Sequence, residues 1–471
     1  MTEQMTDRMM IVLDVTVVNV ALPSIQDDLG FSQSSLAWVV NAYLIAFGGL
    51  LLLAGRFGDI LGRRSVFLAG LGVFTVASLL CGMAQSQGLL VGARFVQGIG
   101  GAMTSAVILG MIVTMFPQPR DRAKAMGVYA FVASAGGSVG LLAGGVLTQS
   151  INWHWIFFVN VPIAIATAIL AVRLLDRDEG IGFGDGADIP GAVLITSSLM
   201  LGVYTIVKPA ADYGWGSGRT LGLGAAALGL LVAFVVRETT ARNPLIPLRI
   251  FRSRNVSGAN VVQALLVAGM FGMFFMGALY LQRVLGYDAL QIGLAFLPAT
   301  LVMGTMSIRY SERLIMRFGA RKTLFPGMAL IAVGLALFTQ APVDGVMILL
   351  GFGIGVCFPA LMTLVMSGAT PQDAGLASGL VNTTAQVGGA LGLAVLATLS
   401  TTRSNHLLDG GQATASALTS GYHLAFLIGA VLVVGAIVVA ATVIQPEEQA
   451  VEQVATEAAP ASAEPVCSEA A

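Results

Sequence analysis

Residues 35–54 read SLAWVVNAYLIAFGGLLLLA, a stretch without one charged side chain, and residues 55–64 continue with GRFGDILGRR. A helix of about 20 apolar residues crosses the ~30 Å hydrocarbon core of a bilayer. Because lipid offers no partners to backbone polar groups, a spanning segment must be a helix or a strand of a closed barrel. This block lacks the in–out alternation of a barrel strand. It therefore predicts a transmembrane helix followed by a basic loop.

Apolar blocks of this kind recur along the whole chain. The 471 residues are 56% hydrophobic and 10% charged, with a mean hydropathy of +0.85, whereas a soluble domain has about 25% charged residues. We predict an all-α membrane protein of about 14 transmembrane helices. Their expected spans are 9–25, 35–54, 66–84, 88–115, 125–148, 154–174, 189–207, 219–236, 257–281, 289–308, 322–340, 345–367, 375–399 and 422–444.

Other classes of protein fit the composition poorly. The net charge of −1 favours no nucleic-acid partner, and three cysteines do not make a disulfide framework. The sequence contains no Gly-x-x-x-x-Gly-Lys-[Ser/Thr] nucleotide loop, and its three histidines have no metal-site spacing. We therefore expect neither an enzyme nor a bound metal or cofactor. The expected partners are a small-molecule substrate, protons and the lipid bilayer, and we expect a monomer.

The basic residues predict the topology. With the N-terminus inside the cell, 19 of the 24 Lys and Arg residues fall on the cytoplasmic side, as the positive-inside rule requires. Four fall outside, and Arg94 lies within a span. We therefore expect a multi-pass protein of the cell membrane with both termini in the cytoplasm. The four outside are Lys208, Arg219, Arg283 and Arg403.

An internal repeat divides the chain. Four glycines of the fifth span recur in the thirteenth at a constant offset of 252 residues, and both spans start inside. Parallel repeats around a central cavity are a transporter design. We predict a six-helix bundle at 1–176, two additional helices with a linker at 177–255, a second six-helix bundle at 256–445 and a disordered acidic tail at 446–471. The matching glycines are Gly127, Gly136, Gly137 and Gly140, against Gly379, Gly388, Gly389 and Gly392.

The first span is short, because Asp7 and Arg8 stand where lipid-facing residues are expected. Either the bilayer adapts locally to a short helix, or the first residue of this sequence lies downstream of the true start of the protein. We favour the second interpretation.

The stretch 55–64 is either a generic basic loop or a conformational latch. Its glycines permit a tight turn, and Asp59 is placed to accept charge-assisted hydrogen bonds from arginines or from a helix N-terminus. Such a cluster can hold two halves in one state and release them in another. The latch candidates are Gly55, Arg56, Gly58, Asp59, Gly62, Arg63 and Arg64.

Two ionisable residues lie deep in the predicted spans, and such residues are functional candidates by default. Asp14 is the candidate for proton binding, because desolvation in a helix bundle disfavours its ionised form. The alternative is that Asp14 is a permanently ionised partner of a structural arginine, with Arg94 the candidate partner. Gln97 and Asn19 are expected in the same polar cluster.

Four stretches carry a resemblance to a known family. Residues 55–64 resemble the signature between helices two and three of the major facilitator superfamily. Residues 13–23 (LDVTVVNVALP), 94–98 (RFVQG) and 153–162 (WHWIFFVNVP) are similar to motifs of its 14-helix drug:proton antiporters, the EmrB/QacA type. The resemblance implies the major facilitator fold, multidrug efflux, antibiotic resistance, and a coupling or conformational role for Arg94.

Two positions depart from the family pattern. Residues 140–145 read GLLAGG where the antiporter motif has a proline after its first glycine, and Ala385 stands where arginine is frequent. The kink that a proline gives is therefore not expected. The glycines still form a small-residue stripe that lets two helices approach closely. The helix-packing candidates are Gly136, Gly140, Gly144 and Gly145.

The resulting expectation is a proton-coupled exporter of small amphipathic compounds such as antibiotics, working by alternating access. Because acids are scarce in the spans, neutral or weakly charged substrates are favoured over dications. The alternatives are an importer or uniporter on the same fold and, less favoured, a membrane sensor that transports nothing. Polar and adaptable side chains in the spans are candidates to line the cavity: Asn19, Asn41, Tyr43, Gln97, Tyr129, Gln263, Met270, Met273, Phe274, Asn382 and Gln386.

Overall fold

The computed structural model describes residues 2–115, 139–175, 188–242, 244–340, 342–368 and 374–445. A 3₁₀ turn at Leu248–Arg252 and a π-helical turn at Met306–Tyr310 interrupt a series of α-helices. These are α1 (Thr2–Leu29), α2 (Gln33–Leu61), α3 (Arg63–Gly82), α4 (Gln87–Met115), α5 (Val139–Ser150), α6 (Trp155–Phe158), α7 (Asn160–Leu174), α8 (Ile189–Val207), α9 (Pro209–Tyr213), α10 (Gly218–Thr240), α11 (Arg254–Arg283), α12 (Ala289–Thr305), α13 (Ser311–Phe318), α14 (Ala320–Leu337), α15 (Val343–Ser367), α16 (Ala374–Asp409) and α17 (Thr414–Thr442).

The described helices are those of a multi-pass membrane protein. Eleven segments are long and apolar enough to cross a bilayer, and α5 is a shorter apolar helix. The prediction of an all-helical membrane protein is therefore confirmed. The first part of the predicted span 125–148 and the tail 446–471 lie outside the described residues.

Side-chain caps mark where several helices begin. Ser32, Ser217 and Ser253 each accept a hydrogen bond from a backbone N–H three residues on. Asp288 and Gln291 form a reciprocal capping box at the start of α12. These caps satisfy backbone donors that a helix leaves unpaired, which fixes the points at which the chain enters its next span.

The stretch 55–64 is not the loop that the hydropathy pattern predicts. Helix α2 continues through Leu61 and α3 starts at Arg63, so Gly62 alone makes the turn, at φ +90°. The extension is helical because it packs on α4: a Cβ on Gly58 would lie 2.5 Å from Cγ1 of Val107.

The helix contacts of the first half recur in the second. In the first half α3 packs on α4 and α7, and in the second half α14 packs on α15 and α17. The contact of α2 with α4 likewise corresponds to that of α12 with α15. Glycines mediate one matched pair of contacts. A Cβ on Gly144 of α5 would lie 3.0 Å from Val17 of α1, and Cβ atoms on Gly388 and Gly392 of α16 would meet Ala264 and Ala268 of α11.

Among the described residues, contacts between the two halves are made by α2 with α16, by α1 with α11 and α12, and by α5 with α12. Helix α8 packs on both α2 and α16, and Thr398 of α16 donates a 3.2 Å hydrogen bond to the carbonyl of Ile206. Helix α10 packs on α8, where Ser198 donates to the carbonyl of Ala227 at 2.8 Å. Helix α8 therefore lies across the junction of the halves.

Candidate functional site

Asp14 and Arg94 form an ion pair in the protein interior. Asp14 is fully buried and Arg94 is 1% exposed. Nη1 of Arg94 donates to Oδ2 of Asp14 at 2.6 Å. The sequence predicted this pairing as one of the two alternatives for Asp14. Helix α1 supplies the acid and helix α4 the base, so the pair crosslinks two helices.

Neutral side chains from α3, α4 and α7 complete the cluster. Oδ1 of Asp14 accepts hydrogen bonds from Nε2 of Gln97 and from Nδ2 of Asn160, both at 2.8 Å. Gln97 also donates to the hydroxyl of Ser78 at 2.9 Å and accepts from Nη1 of Arg94 at 2.6 Å. Both carboxylate oxygens of Asp14 therefore accept hydrogen bonds from N–H donors.

The guanidinium of Arg94 is held from three sides. Its Nε donates to the backbone carbonyl of Val39 at 3.0 Å. Its Cζ lies 4.5 Å from the ring centre of Tyr43 and 5.8 Å from that of Phe157. Both distances are within the range of a cation–π interaction. Arg94 lies on α4, and its contacts with α2 and α6 therefore fix the orientation of the guanidinium that faces Asp14.

The energetics of such a pair are asymmetric. Taking two charges out of water costs several kcal/mol per ion, which their attraction and hydrogen bonds roughly offset. Removing one partner leaves an uncompensated buried charge, at about 3–5 kcal/mol. Loss of either charge would therefore disturb the contact between α1 and α4.

Every side chain of this cluster comes from α1 to α7, so the acid lies inside the first half rather than between the halves. Of the predicted members, Asp14, Arg94 and Gln97 are brought together, and Asn19 is buried on α1 beyond Asp14. Sequence reasoning missed Asn160 and Ser78. The signal for Asn160 was present, because it lies in the stretch 153–162 that resembles a family motif.

The latch candidates lie where α2 meets α3. Arg64 donates a 2.7 Å hydrogen bond to the carbonyl of Val172, which ties α3 to the end of α7. Gly55 lies near Ala106 of α4. Arg56 and Arg63 also make contacts, and the side chain of Asp59 lies outside the described residues.

The helix-packing glycines have different neighbours. Gly140 is buried in α5 and Gly136 lies outside the described residues. Gly144 faces α1, whereas a Cβ on Gly145 would lie 2.8 Å from the carbonyl oxygen of Ala289 in α12. Helix α5 therefore approaches α1 at Gly144 and α12 at Gly145.

The cavity candidates are spread over both halves. Tyr43 and Gln97 belong to the ion-pair cluster, and Asn41, Gln263, Met270 and Met273 are buried. Within the part of the chain that the structure describes, neither amide atom of Asn41 has a hydrogen-bond partner. Tyr129 lies outside the described residues, and Phe274, Asn382 and Gln386 are half-buried. Gln386 lies at the contact of α2 with α16. A Cβ added to Gly48 would be 2.7 Å from the Cβ of Gln386, so the two helices approach closely there.

Contacts between the two halves close one end of the bundle. We call it the α1-terminal end, because the last residue of α1, Leu29, lies there. Arg283 of α11 forms an ion pair with Asp27 of α1. Oε1 of Gln149 accepts a hydrogen bond from the N–H of Leu290 at 3.2 Å, a donor in the first turn of α12.

Comparison with known proteins identifies the family. The family model described as Major Facilitator Superfamily matches residues 8–393, and the chain belongs to this superfamily. Two solved structures share its fold. A bacterial homologue of the human lysosomal transporter Spinster, in an inward-facing and unoccupied conformation, has a TM-score of 0.67 at 16% identity over 98% of both chains. The human organic anion transporter MFSD10 has a TM-score of 0.60 at 18% identity, covering 92% of this chain and 98% of that one.

Curated relatives are more similar in sequence. The puromycin resistance protein of Streptomyces alboniger is 39% identical over 442 residues, covering 90% of this chain and 87% of the relative. The cephamycin export protein of Amycolatopsis lactamdurans is 41% identical over 404 residues, covering 84% and 83%. The tetracenomycin C resistance and export protein of Streptomyces glaucescens is 34% identical over 435 residues, covering 91% and 80%.

Proposed function

We propose that this protein is a drug efflux transporter that exports small amphipathic compounds such as antibiotics in exchange for protons. Export is supported by the names of the three relatives above. Each is a resistance or export protein, and each alignment covers at least 80% of both chains. Burial of Asp14 against Arg94 supports the coupling to protons.

We propose about 14 transmembrane helices in the order six, two, six, with bundles at 1–176 and 256–445 joined by the pair at 177–255 and followed by the tail at 446–471. The matched helix contacts of the two halves support this division. With the termini in the cytoplasm of a monomer in the cell membrane, the α1-terminal end faces outward, so the described state is closed to the outside.

In the proposed cycle, opening of the α1-terminal end admits protons from the acidic side, and a rearrangement of the first-half helices that hold the cluster exposes Asp14 to them. A proton on Asp14 removes its negative charge and occupies one acceptor oxygen, so Arg94 loses its ionic partner. Closing the outer end and opening the inner end releases the proton inward and admits substrate. A pH gradient drives this exchange even when no net charge moves.

The test uses everted membrane vesicles that contain wild type or Asp14→Asn protein, together with a drug-susceptibility panel. We expect wild type to show substrate-dependent proton release from the vesicle interior and raised resistance, and Asp14→Asn to lose both. Asp344→Asn is the matched control, because Asp344 is exposed at the start of α15.

Asp14→Asn leaves Arg94 buried without a counter-charge and can unfold the protein, so a second variant is needed. Asp14→Asn/Arg94→Gln removes both charges, which is often tolerated in a buried pair. If a folded form of either variant exchanges protons like wild type, the coupling role of Asp14 is wrong. Proton flux of the opposite sign would identify an importer, and drug flux without proton flux a uniporter.

A further inference from the structure

An apolar groove runs along the outer surface of the second half, between α12, α14 and α15. It consists of two cavities of about 430 and 470 Å³ that share Met306 and Phe352. One cavity is lined by Met306, Leu314, Phe318, Lys322, Thr323, Pro326, Gly327, Leu330, Phe352 and Val356, and the other by Leu301, Val302, Thr305, Met306, Tyr310 and Phe352.

The groove lies where the second half departs from the first. In the first half α2 runs unbroken to Leu61, and Gly62 alone connects it to α3. In the second half α12 stops at Thr305, a π-helical turn follows, and the short helix α13 leads to Gly319. The π-turn widens the helix locally, and its first residue, Met306, lines both cavities.

The segment that borders the groove carries an excess of positive charge. Residues 306–323 contain five basic side chains and one acid, Glu312. One of its cations, Arg321, is directed elsewhere and donates a 2.8 Å hydrogen bond to the carbonyl of Ala441 on α17. Of these cations, Lys322 itself lines the groove and is exposed. Three other polar residues line the groove. Thr323 donates its hydroxyl hydrogen to its own chain, with carbonyl acceptors at Gly319 and Leu314, Thr305 donates to the carbonyl of Leu301, and Tyr310 is exposed. The five basic residues are Arg309, Arg313, Arg317, Arg321 and Lys322.

The dimensions of the groove match half a bilayer. From Lys322 to Leu330 the wall formed by α14 is eight residues long, or about 12 Å at ~1.5 Å per residue. One leaflet contributes about half of the ~30 Å hydrocarbon core. A single acyl chain that enters at the level of Lys322 therefore lies along the groove, with its headgroup beside the basic cluster. The negatively charged cytoplasmic leaflet is the expected source of such a lipid.

We propose that this groove is a binding site for one anionic phospholipid, whose acyl chain lies between α12, α14 and α15 and whose phosphate is bound by Lys322 and the arginines of α13. A zwitterionic lipid fits the apolar walls equally well but presents no net negative charge to the cluster. The site is independent of what the protein transports.

The experiment is native mass spectrometry of the full-length protein, purified in a non-ionic detergent and titrated with dioleoyl phosphatidylglycerol or dioleoyl phosphatidylcholine. We expect one phosphatidylglycerol to bind at least tenfold more tightly than phosphatidylcholine. A Lys or Arg near an anionic lipid surface is worth ~1 kcal/mol, so Lys322→Gln should weaken phosphatidylglycerol binding about fivefold and leave phosphatidylcholine binding unchanged. Lys322→Arg should restore it.

Arg403→Gln is the matched control, because it removes one exposed positive charge at the opposite end of the bundle. A phosphatidylglycerol with a photoreactive acyl chain locates the site, and we expect cross-links on α12, α14 and α15. Equal affinity for the two lipids, equal effects of Lys322→Gln and Arg403→Gln, or cross-links confined to other helices would each overturn the proposal.

Discussion

Gly62 holds a backbone conformation, φ +90°, that other L-amino acids adopt only with strain. Gly62→Ala should therefore destabilise the protein by about 1–3 kcal/mol. Gly72→Ala is its control, because Gly72 lies within α3 and a Cβ there would have open space. Alanine favours helix over glycine by ~0.5–1 kcal/mol. Thermal unfolding in detergent should show a lower midpoint for the first variant and an unchanged or higher one for the second.

Arg94 uses the geometry of a guanidinium, since Nη1 reaches Asp14 and Gln97 while Nε reaches the carbonyl of Val39. A lysine keeps the charge but supplies one compact donor group. Arg94→Lys should therefore leave at least one buried acceptor unpaired, at a cost of about 1–3 kcal/mol, and reduce efflux at equal protein abundance. Arg403→Lys should change neither. If Arg94→Lys unfolds at the same temperature as wild type and shows the same efflux, the forked geometry of the guanidinium is not important for stability or transport.

The sequence predicted the charged members of the cluster and missed two neutral ones. Asp14 and Arg94 stand out because ionisable residues are rare in a transmembrane span. Asn160 and Ser78 do not stand out, because neutral polar residues are common in such spans and their role depends on which neighbours they face. Asn160 reaches Asp14 across 146 positions of sequence, and only the packing of α7 on α1 brings the two together.

Helix ends show a similar limit of hydropathy. The predicted span 35–54 is α2 from Gln33 to Leu61, and the predicted span 375–399 is α16 from Ala374 to Asp409. Hydropathy marks where a chain crosses lipid, whereas a helix continues as long as its backbone bonds and packing favour it. In α2 the packing of Gly58 on Val107 supplies that support.

Helices α5 and α12 approach closely through glycine at the α1-terminal end. A Cβ on Gly145 would lie 2.9 Å from Cα of Leu290, and one on Gly293 would lie 2.6 Å from the carbonyl oxygen of Leu141. Gly145→Leu should therefore disfavour the closed state of this end. Its matched control is Gly222→Leu in α10, where a Cβ meets open space.

The measurement for Gly145→Leu is the distance distribution between spin labels at Ser150 and Leu285, by double electron–electron resonance. We expect the variant to shift population toward longer distances and the Gly222→Leu control to leave the distribution unchanged. Identical distributions for wild type and Gly145→Leu would show that the glycine contact does not hold the end closed.

The glycine repeat, with its offset of 252 residues, predicts that the fifth and thirteenth spans are equivalent. Their counterparts α5 and α16 both pack through glycines, on α1 and α11, but the α5 contact is at Gly144, outside the repeat, whereas Gly388 and Gly392 of α16 belong to it. The position of α8 was not predictable in this way. Its contacts with α2 and α16 have no counterpart within a repeat, because the pair α8 and α10 occurs once in the chain.

The ion pair of Asp27 with Arg283 joins the two halves where the whole molecule closes. The side chains are 55% and 34% exposed, so solvent screens the pair, and such pairs contribute about 0–1 kcal/mol. Asp27→Arg or Arg283→Asp alone brings like charges together and should lower the closed population by up to about fivefold. The double variant Asp27→Arg/Arg283→Asp should restore the wild-type distance distribution between the same two spin labels. Each single effect should weaken at high salt, because exposed charges are screened beyond a few ångströms. If the two effects add in the double variant, the ion pair does not control closure, and the other contacts of this end, the glycine contact of α5 with α12 and the hydrogen bond of Leu290 to Gln149, remain as its determinants.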